Sequence, residues 1–224
     1  MGCSVSSQES CEQPAQKEIP RLVQHAPTMC ELVQHIPSDC QERILFRGQP
    51  IELTDMILLD NQLNEYHVHL VFLVSMSTFF AQIPAKKLPI ELEEKKGRIC
   101  FPLPSDPKNV LNLCNVAYSW IHGDKIEWPA NHDNLDLLKL LIQYEFHKPA
   151  SLCMKNISNT LDNSDNHFLI DVANFAANIK QDNLCRDALK RLLPKNVGEA
   201  QRKIIVPQLN AYACQLLLIN PLDD

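Results

Sequence analysis

The sequence has little glycine, no long basic run and no long apolar run, and each absence excludes a class of protein. Five glycines in 224 residues leave no room for a glycine-rich phosphate-binding loop. The formal net charge is −6, which argues against binding nucleic acid through its phosphates. No apolar segment reaches the roughly 18 residues of a membrane-spanning helix. The N-terminus has no apolar core, so we expect no secretory signal.

Motifs of catalysis are also missing from the sequence. It contains no GxSxG, HExxH or P-loop pattern. The nine cysteines are scattered, and their odd number favours reduced thiols in a cytosolic protein over a disulfide framework. We therefore expect a protein that is not an enzyme and that holds no cofactor and no catalytic metal. Four cysteines lie in apolar patterns and are expected to behave as small hydrophobic residues: Cys100, Cys114, Cys153 and Cys185.

What the chain does have is a substantial apolar content with a recognisable nucleus. It is 45% hydrophobic and 21% charged, which suits one large domain or two small ones. The stretch Tyr66–Phe80 begins with the period-two alternation of a strand. It continues with the i, i+3, i+4 spacing of a helix. A strand that turns directly into an apolar helix predicts an α+β domain.

Residues 1–44 are predicted to be a flexible tail that carries an acylation signal. Gly2 followed by Ser6 fits the myristoylation pattern, and Cys3 lies where a thiol can take palmitate. One myristoyl chain binds membranes marginally, and a second makes the binding stable. The alternative is a chance match in a disordered segment.

A tandem ten-residue repeat lies in this tail, with the motif Leu-Val-Gln-His at residues 22–25 and again at 32–35. Two interpretations remain open, a zinc site and a linker or short helical repeat. The spacing favours the linker, because it lacks the close cysteine pair of zinc knuckles. The zinc ligands would be His25, Cys30, His35 and Cys40.

Residues 45–157 read as a mixture of short strands and helices. Met56–Leu59 is predicted as a buried strand, and residues 61–64 as the turn of a hairpin. Residues 92–96 are predicted to be a charged loop before a strand at 98–103. Asp106 with Pro107 predicts the start of a helix and Gly123 its end. A further helix from residues 131–133 is predicted to stop at Pro149.

One set of residues in this unit follows a distinctive order: an aspartate before the first strand, then a histidine, an apolar helix, a serine and an aromatic pair. They are Asp55, His69, Phe72, Leu73, Ser77, Phe79 and Phe80. This order and spacing resemble a BTB/POZ domain over about half the chain, and Ile121-His122-Gly123 resembles the family's helix end. The resemblance implies a short mixed sheet packed with α-helical hairpins, and a homodimer.

Residues 158–224 show only helical patterns, with a start signal at residues 163–165 and breaks at Pro194 and Pro207. They resemble the beginning of a BACK domain, the all-α extension that follows BTB in many adaptors. We therefore expect a partial BACK-like helical region.

The resemblance implies a non-catalytic adaptor that binds the BTB-specific cullin and an unidentified substrate protein for ubiquitination. Leu92-Glu93-Glu94 fits the family's cullin-binding pattern, so Leu92 and Glu94 are the candidate contacts; a solvated surface loop is the alternative. The competing hypothesis is a membrane-anchored scaffold or self-association protein without a ubiquitin role. In either case the expected location is cytoplasmic, at a membrane surface through N-terminal acyl chains.

Two pairs of side chains have both a structural and a ligand-binding interpretation. His67 and His69 lie two residues apart and can share a metal, but a structural role for His69, hydrogen-bonded to the backbone at the strand-to-helix turn, is favoured. Trp120 and Trp128 flank a turn and are interpreted as core anchors rather than a ligand cage.

Overall fold

The computed structural model describes residues 43–45, 54–85, 92–194 and 197–219, all of which belong to one compact unit. The acylation signal and the tandem repeat, including Gly2 and Cys3, lie outside the described residues. The described strands are β1 (Arg43–Leu45), β2 (Met56–Leu59), β3 (Glu65–Val68), β4 (Glu93–Lys95) and β5 (Arg98–Pro102). They confirm the predicted α+β class.

The five strands form one mixed sheet in the order β1-β3-β2-β5-β4. Strand β3 pairs parallel with β1 and antiparallel with β2, as the predicted hairpin requires. Strand β5 runs parallel to β2 and antiparallel to β4. The prediction of a charged loop at residues 92–96 is therefore wrong in part, because Glu93–Lys95 is an edge strand. It turns into β5 through Lys96 and Gly97, both with positive φ.

Asp60 builds the turn of the β2–β3 hairpin. Its Oδ1 accepts hydrogen bonds from the backbone N–H groups of Gln62 (2.8 Å) and Asn64 (2.9 Å). Its Oδ2 accepts from the hydroxyl of Tyr66 at 2.9 Å. An aspartate that bonds the backbone just after it is the usual way in which a short polar side chain fixes a turn.

Eight α-helices are described: α1 (Leu70–Val74), α2 (Pro107–His122), α3 (Asn131–Gln143), α4 (His147–Thr160), α5 (Asn166–Asn178), α6 (Asp182–Leu192), α7 (Glu199–Ile205) and α8 (Ala211–Ile219). Three short 3₁₀ segments lie at Phe80–Gln82, Leu161–Asn163 and Val206–Gln208. The predicted caps of α2 are confirmed: Asp106 accepts from the Lys108 N–H at 3.1 Å, and Gly123 has φ 71°. Asp165 likewise caps α5, accepting from the Phe168 N–H at 2.8 Å.

Helix α3 does not run to Pro149 as predicted, but ends at Gln143. The Phe146 N–H donates to the Leu141 carbonyl at 2.7 Å, and Glu145 adopts φ 56°. This is a Schellman closure with glutamate at the position that usually carries glycine. Pro149 instead lies in the first turn of α4, where a missing N–H costs nothing.

The core lies between one face of the sheet and the helices. Met56, Leu58, Tyr66, Val68 and Phe101 on that face join a continuous apolar cluster with buried residues of α1 to α8. The predicted boundary between residues 157 and 158 falls within α4, and it stays a prediction. Among the described residues, none of the helices combines the length and the apolar character needed to cross a membrane.

Candidate protein-interaction site

The junction between β3 and α1 brings together the residues that carry the family resemblance. Asp55, just before β2, accepts a hydrogen bond through Oδ1 from the Leu70 N–H at 2.6 Å. The first N–H groups of a helix have no partner within the helix. Asp55 therefore caps α1 from the segment just before β2. The residue before the helix, His69, does not fill this role with its own side chain.

His69 is held by Tyr118 of α2. The His69 Nδ1 lies 2.8 Å from the Tyr118 hydroxyl, and the His69 backbone N–H donates to the same oxygen at 3.3 Å. Burial raises the pKa of Tyr118 to about 12, so the phenol stays protonated at neutral pH. The favoured structural role is thus matched by a polar partner, but the predicted partner is wrong, because the ring bonds a side-chain hydroxyl rather than the backbone.

Ser77 connects the end of this stretch to the loop after α3. It is 2% exposed, its hydroxyl donates to the Tyr144 carbonyl at 2.5 Å, and its oxygen accepts from the Phe80 N–H at 3.0 Å. The Phe80 ring is fully buried and packs 5.1 Å from that of Phe101. Phe79 packs edge-on against Tyr144 at 5.2 Å, and Leu73 is 1% exposed. These residues therefore position one another within the fold.

The candidate cullin contacts lie on the edge of the sheet, at β4. Leu92 is half-buried and packs against the chain's own core, so only part of its side chain is open to a partner. Glu94 is exposed, and its carboxylate makes no hydrogen bond or ion pair with another described residue. Within the described sheet, β4 pairs with β5 alone. This surface offers strand-edge hydrogen-bonding groups beside an exposed negative charge.

A charge network centred on a buried glutamate lies behind that edge, and sequence patterns do not reveal it. Glu65 of β3 is 2% exposed, and its carboxylate contacts the Lys95 ammonium of β4 and the His67 Nε2, the latter at 3.1 Å. Burial alone would raise the pKa of Glu65, but the hydrogen bonds and charges of Lys95 and His67 outweigh it and lower that pKa. The network fixes β4 against a strand that is not its neighbour in the sheet.

The pair His67 and His69 is not arranged as a metal site. The His67 Nε2 contacts Glu65, whereas the His69 Nδ1 contacts Tyr118 of a helix. Among the described residues, the ligand types that do converge are His132, His167 and Asp171, on α3 and α5.

Trp120 and Trp128 are only half-buried, and the prediction that both anchor the core is incomplete. They line an open groove of about 610 Å³ together with Leu152 of α4. Trp128 also packs against the core cluster. Lys125, Lys155 and Asp124 lie along the same groove, which gives it a mixed apolar and charged lining.

The four buried cysteines do not have the character of nucleophiles. Cys100, Cys114, Cys153 and Cys185 are all buried, as predicted. Burial raises the pKa of Cys153 to about 12 and that of Cys185 to about 11, so both stay protonated thiols at neutral pH. Compared with known proteins, the chain matches no family model and no curated protein.

Proposed function

We propose that the chain is a non-catalytic interaction module with a BTB/POZ-type fold, which serves as an adaptor between a cullin scaffold and a substrate protein. The observation that carries the proposal is the β3–α1 junction. There Asp55 caps α1, His69 meets Tyr118, and Ser77 meets Tyr144. The junction residues each have a packing or hydrogen-bonding role, in a mixed sheet flanked by helical hairpins: Asp55, His69, Leu73, Ser77, Phe79 and Phe80.

The repeated helical hairpins support the same proposal. Helices α3 and α4 are joined by a Schellman closure at Glu145, and α5 and α6 by an equivalent closure at Lys180. Lys180 has φ 56°, and the Gln181 N–H donates to the Ala176 carbonyl at 2.8 Å. Two hairpins of the same construction follow the sheet, as expected for a BTB unit that continues into a helical extension.

The cullin contact is assigned to the edge strand β4. Glu94 supplies an exposed charge at the rim of the proposed contact. Leu92 contributes the part of its apolar side chain that is not covered by the core of the domain. Rim charges mainly set the rate and selectivity of association, and apolar anchors mainly set its strength. Leu92 therefore has two roles, to hold the segment on the domain and to contact the partner.

A pull-down of the BTB-specific cullin by the full chain tests this assignment. We expect Glu94→Ala to reduce recovery of the cullin, and Leu92→Ala with Glu94→Ala to abolish it. Glu127→Ala is the matched control, because Glu127 is also exposed but lies between α2 and α3. Equal recovery by all variants would place the contact elsewhere, and no recovery by the wild type would reject the adaptor role.

The second candidate function is that of a membrane-anchored scaffold that binds no cullin, and the observation that favours it is the Gly2, Cys3 and Ser6 pattern. In eukaryotic cells, Gly2→Ala is then expected to move the protein from the membrane to the soluble fraction. Cys3→Ser should have an intermediate effect, because one acyl chain remains. A free or acetylated Gly2 in the N-terminal peptide would contradict acylation.

Self-association is common to both candidates. A homodimer has a mass of twice 25.5 kDa, which size-exclusion chromatography with light scattering distinguishes from a monomer. A measured mass of one chain at micromolar concentration would contradict the homodimer, and it would leave the proposed cullin contact untested.

A further inference from the structure

We infer that His132, His167 and Asp171 form a binding site for a divalent transition metal, with Zn²⁺ as the natural occupant, that joins α3 to α5. The three residues each present one ligand atom, and these atoms all lie within 4.8 Å of one another. The site is separate from the residues of the proposed adaptor function. It also differs from the zinc alternative in the tail, because it uses no cysteine.

The separations of the two histidines from Asp171 match those within a metal coordination shell. The Asp171 Oδ2 lies 3.4 Å from the His167 Nδ1 and 3.6 Å from the His132 Nδ1. Zinc binds nitrogen and oxygen at about 2.0–2.2 Å, so two ligands of a tetrahedral site are separated by about 3.3–3.6 Å. Both distances exceed the roughly 2.7–3.2 Å of an N–H···O hydrogen bond. The arrangement therefore suits an ion between the ligands better than direct bonding.

The backbone holds the ligands in place. His167 and Asp171 are four residues apart on α5, so they project from the same face of the helix. His132 comes from the first turn of α3, and its ring packs edge-on against the fully buried Phe168 at 5.2 Å. The two imidazole rings lie 5.4 Å apart. The buried Phe168 side chain of α5 therefore positions the ring of His132 beside that helix.

The ligand types define the class of metal. Two imidazoles and one carboxylate suit borderline ions such as Zn²⁺ and Co²⁺, whereas Mg²⁺ and Ca²⁺ prefer oxygen alone. Three protein ligands leave a fourth position for water. The side chains of His132, His167 and Asp171 are 47%, 76% and 41% exposed, so the ion has direct access from solvent. Binding would tie two helices that are distant in sequence.

Titration of the full chain with Co²⁺, followed by displacement with Zn²⁺, tests the site. Co²⁺ in a tetrahedral nitrogen and oxygen shell gives visible d–d bands, while thiolate ligands add a near-ultraviolet charge-transfer band. We expect one equivalent with d–d bands and no charge transfer. His132→Ala, His167→Ala and Asp171→Asn should each weaken binding by at least about tenfold, because losing even a hydrogen-bond partner of a ligand costs about that much. Zn²⁺ should raise the melting temperature of the wild type but not of these three variants.

His147→Ala is the matched control, because His147 is also an exposed histidine in the first turn of a helix. This variant should bind Co²⁺ as the wild type does. All three ligand variants alter exposed or half-exposed side chains, so their metal-free melting temperatures should equal that of the wild type. Absence of binding by the wild type would overturn the inference. Co²⁺ spectra and affinities that are the same in the three variants as in the wild type would also overturn it, because the metal would then be bound by other residues. A wild-type spectrum dominated by thiolate charge transfer would do the same.

Discussion

Removal of the Ser77 hydroxyl is the sharpest test of the structural role of the β3–α1 junction. In Ser77→Ala, the Tyr144 carbonyl loses its donor and the Phe80 N–H loses its acceptor, both inside the core. A buried polar group left without a partner costs about 1–3 kcal/mol. Two such groups, with partial relaxation, predict a loss of about 2–4 kcal/mol in the free energy of unfolding. For a unit of this size, that lowers the melting temperature by roughly 4–16 °C.

Urea unfolding followed by circular dichroism measures this loss, and Ser75→Ala supplies the matched control. The Ser75 hydroxyl also donates to a backbone carbonyl, that of Phe72 at 2.8 Å, but Ser75 is exposed. Water replaces the lost bond there, so the change should stay within about 0.5 kcal/mol. Equal midpoints for the two variants would refute the argument, because it depends on burial and not on the hydroxyl itself.

Three further substitutions probe other parts of the fold. Glu65→Gln should destabilise the protein at pH 7, because the lowered pKa of Glu65 means that its charged form is stabilised in the folded state. That contribution is present above the pKa of the glutamate in the unfolded chain, about 4.3, and it is lost as the pH falls through the lower pKa of Glu65 in the folded protein. The stabilities of variant and wild type should therefore converge in acid. Gly123→Ala should cost about 1–2 kcal/mol, because φ is 71° and alanine has a Cβ. Phe80→Ala should cost about 3–5 kcal/mol, because the ring is fully buried.

Each of these substitutions has a control and an outcome that contradicts it. Glu94→Gln changes an exposed glutamate, so the dependence of its free energy of unfolding on acidic pH should equal that of the wild type. If Glu94→Gln changed this dependence as Glu65→Gln does, the effect would not come from the buried contacts of Glu65. Gly123→Asn should lower the free energy of unfolding less than Gly123→Ala does, since asparagine tolerates the left-handed region. The reverse order would contradict a backbone origin of the Gly123→Ala loss. Leu218→Ala alters a side chain that is 82% exposed, and a loss as large as that of Phe80→Ala would refute the burial argument.

Local signals in the sequence were sufficient for many of the elements. Asp106, Pro107 and Gly123 delimit α2 because capping and left-handed closure depend only on residues within one turn of the helix end. The β2–β3 hairpin was predictable because buried β-forming residues flank a turn of short polar side chains. The α+β class followed from the change of period at the β3–α1 junction.

Local signals failed where a distant partner decides the conformation. The charged segment at Glu93–Lys95 becomes a strand because β5 pairs with it and Lys95 reaches the buried Glu65. Helix α3 ends at Gln143 because the following Phe146 is buried, which closes the helix without a glycine. Pro149 then falls in the first turn of α4, a position that sequence alone could not distinguish from a helix stop.

The sequence by itself determined the class of fold, both ends of α2, the start of α5 and the set of residues at the strand-to-helix junction. These features depend on periodicity and on neighbours within a few positions. Only the tertiary structure decided which groups those residues meet. Tyr118 reaches His69 across 49 positions, and Ser77 reaches Tyr144 across 67. His132 meets His167 and Asp171 only because α3 packs against α5. Contacts of this kind arise when separate helices bury their apolar faces together, which no pattern within either helix specifies.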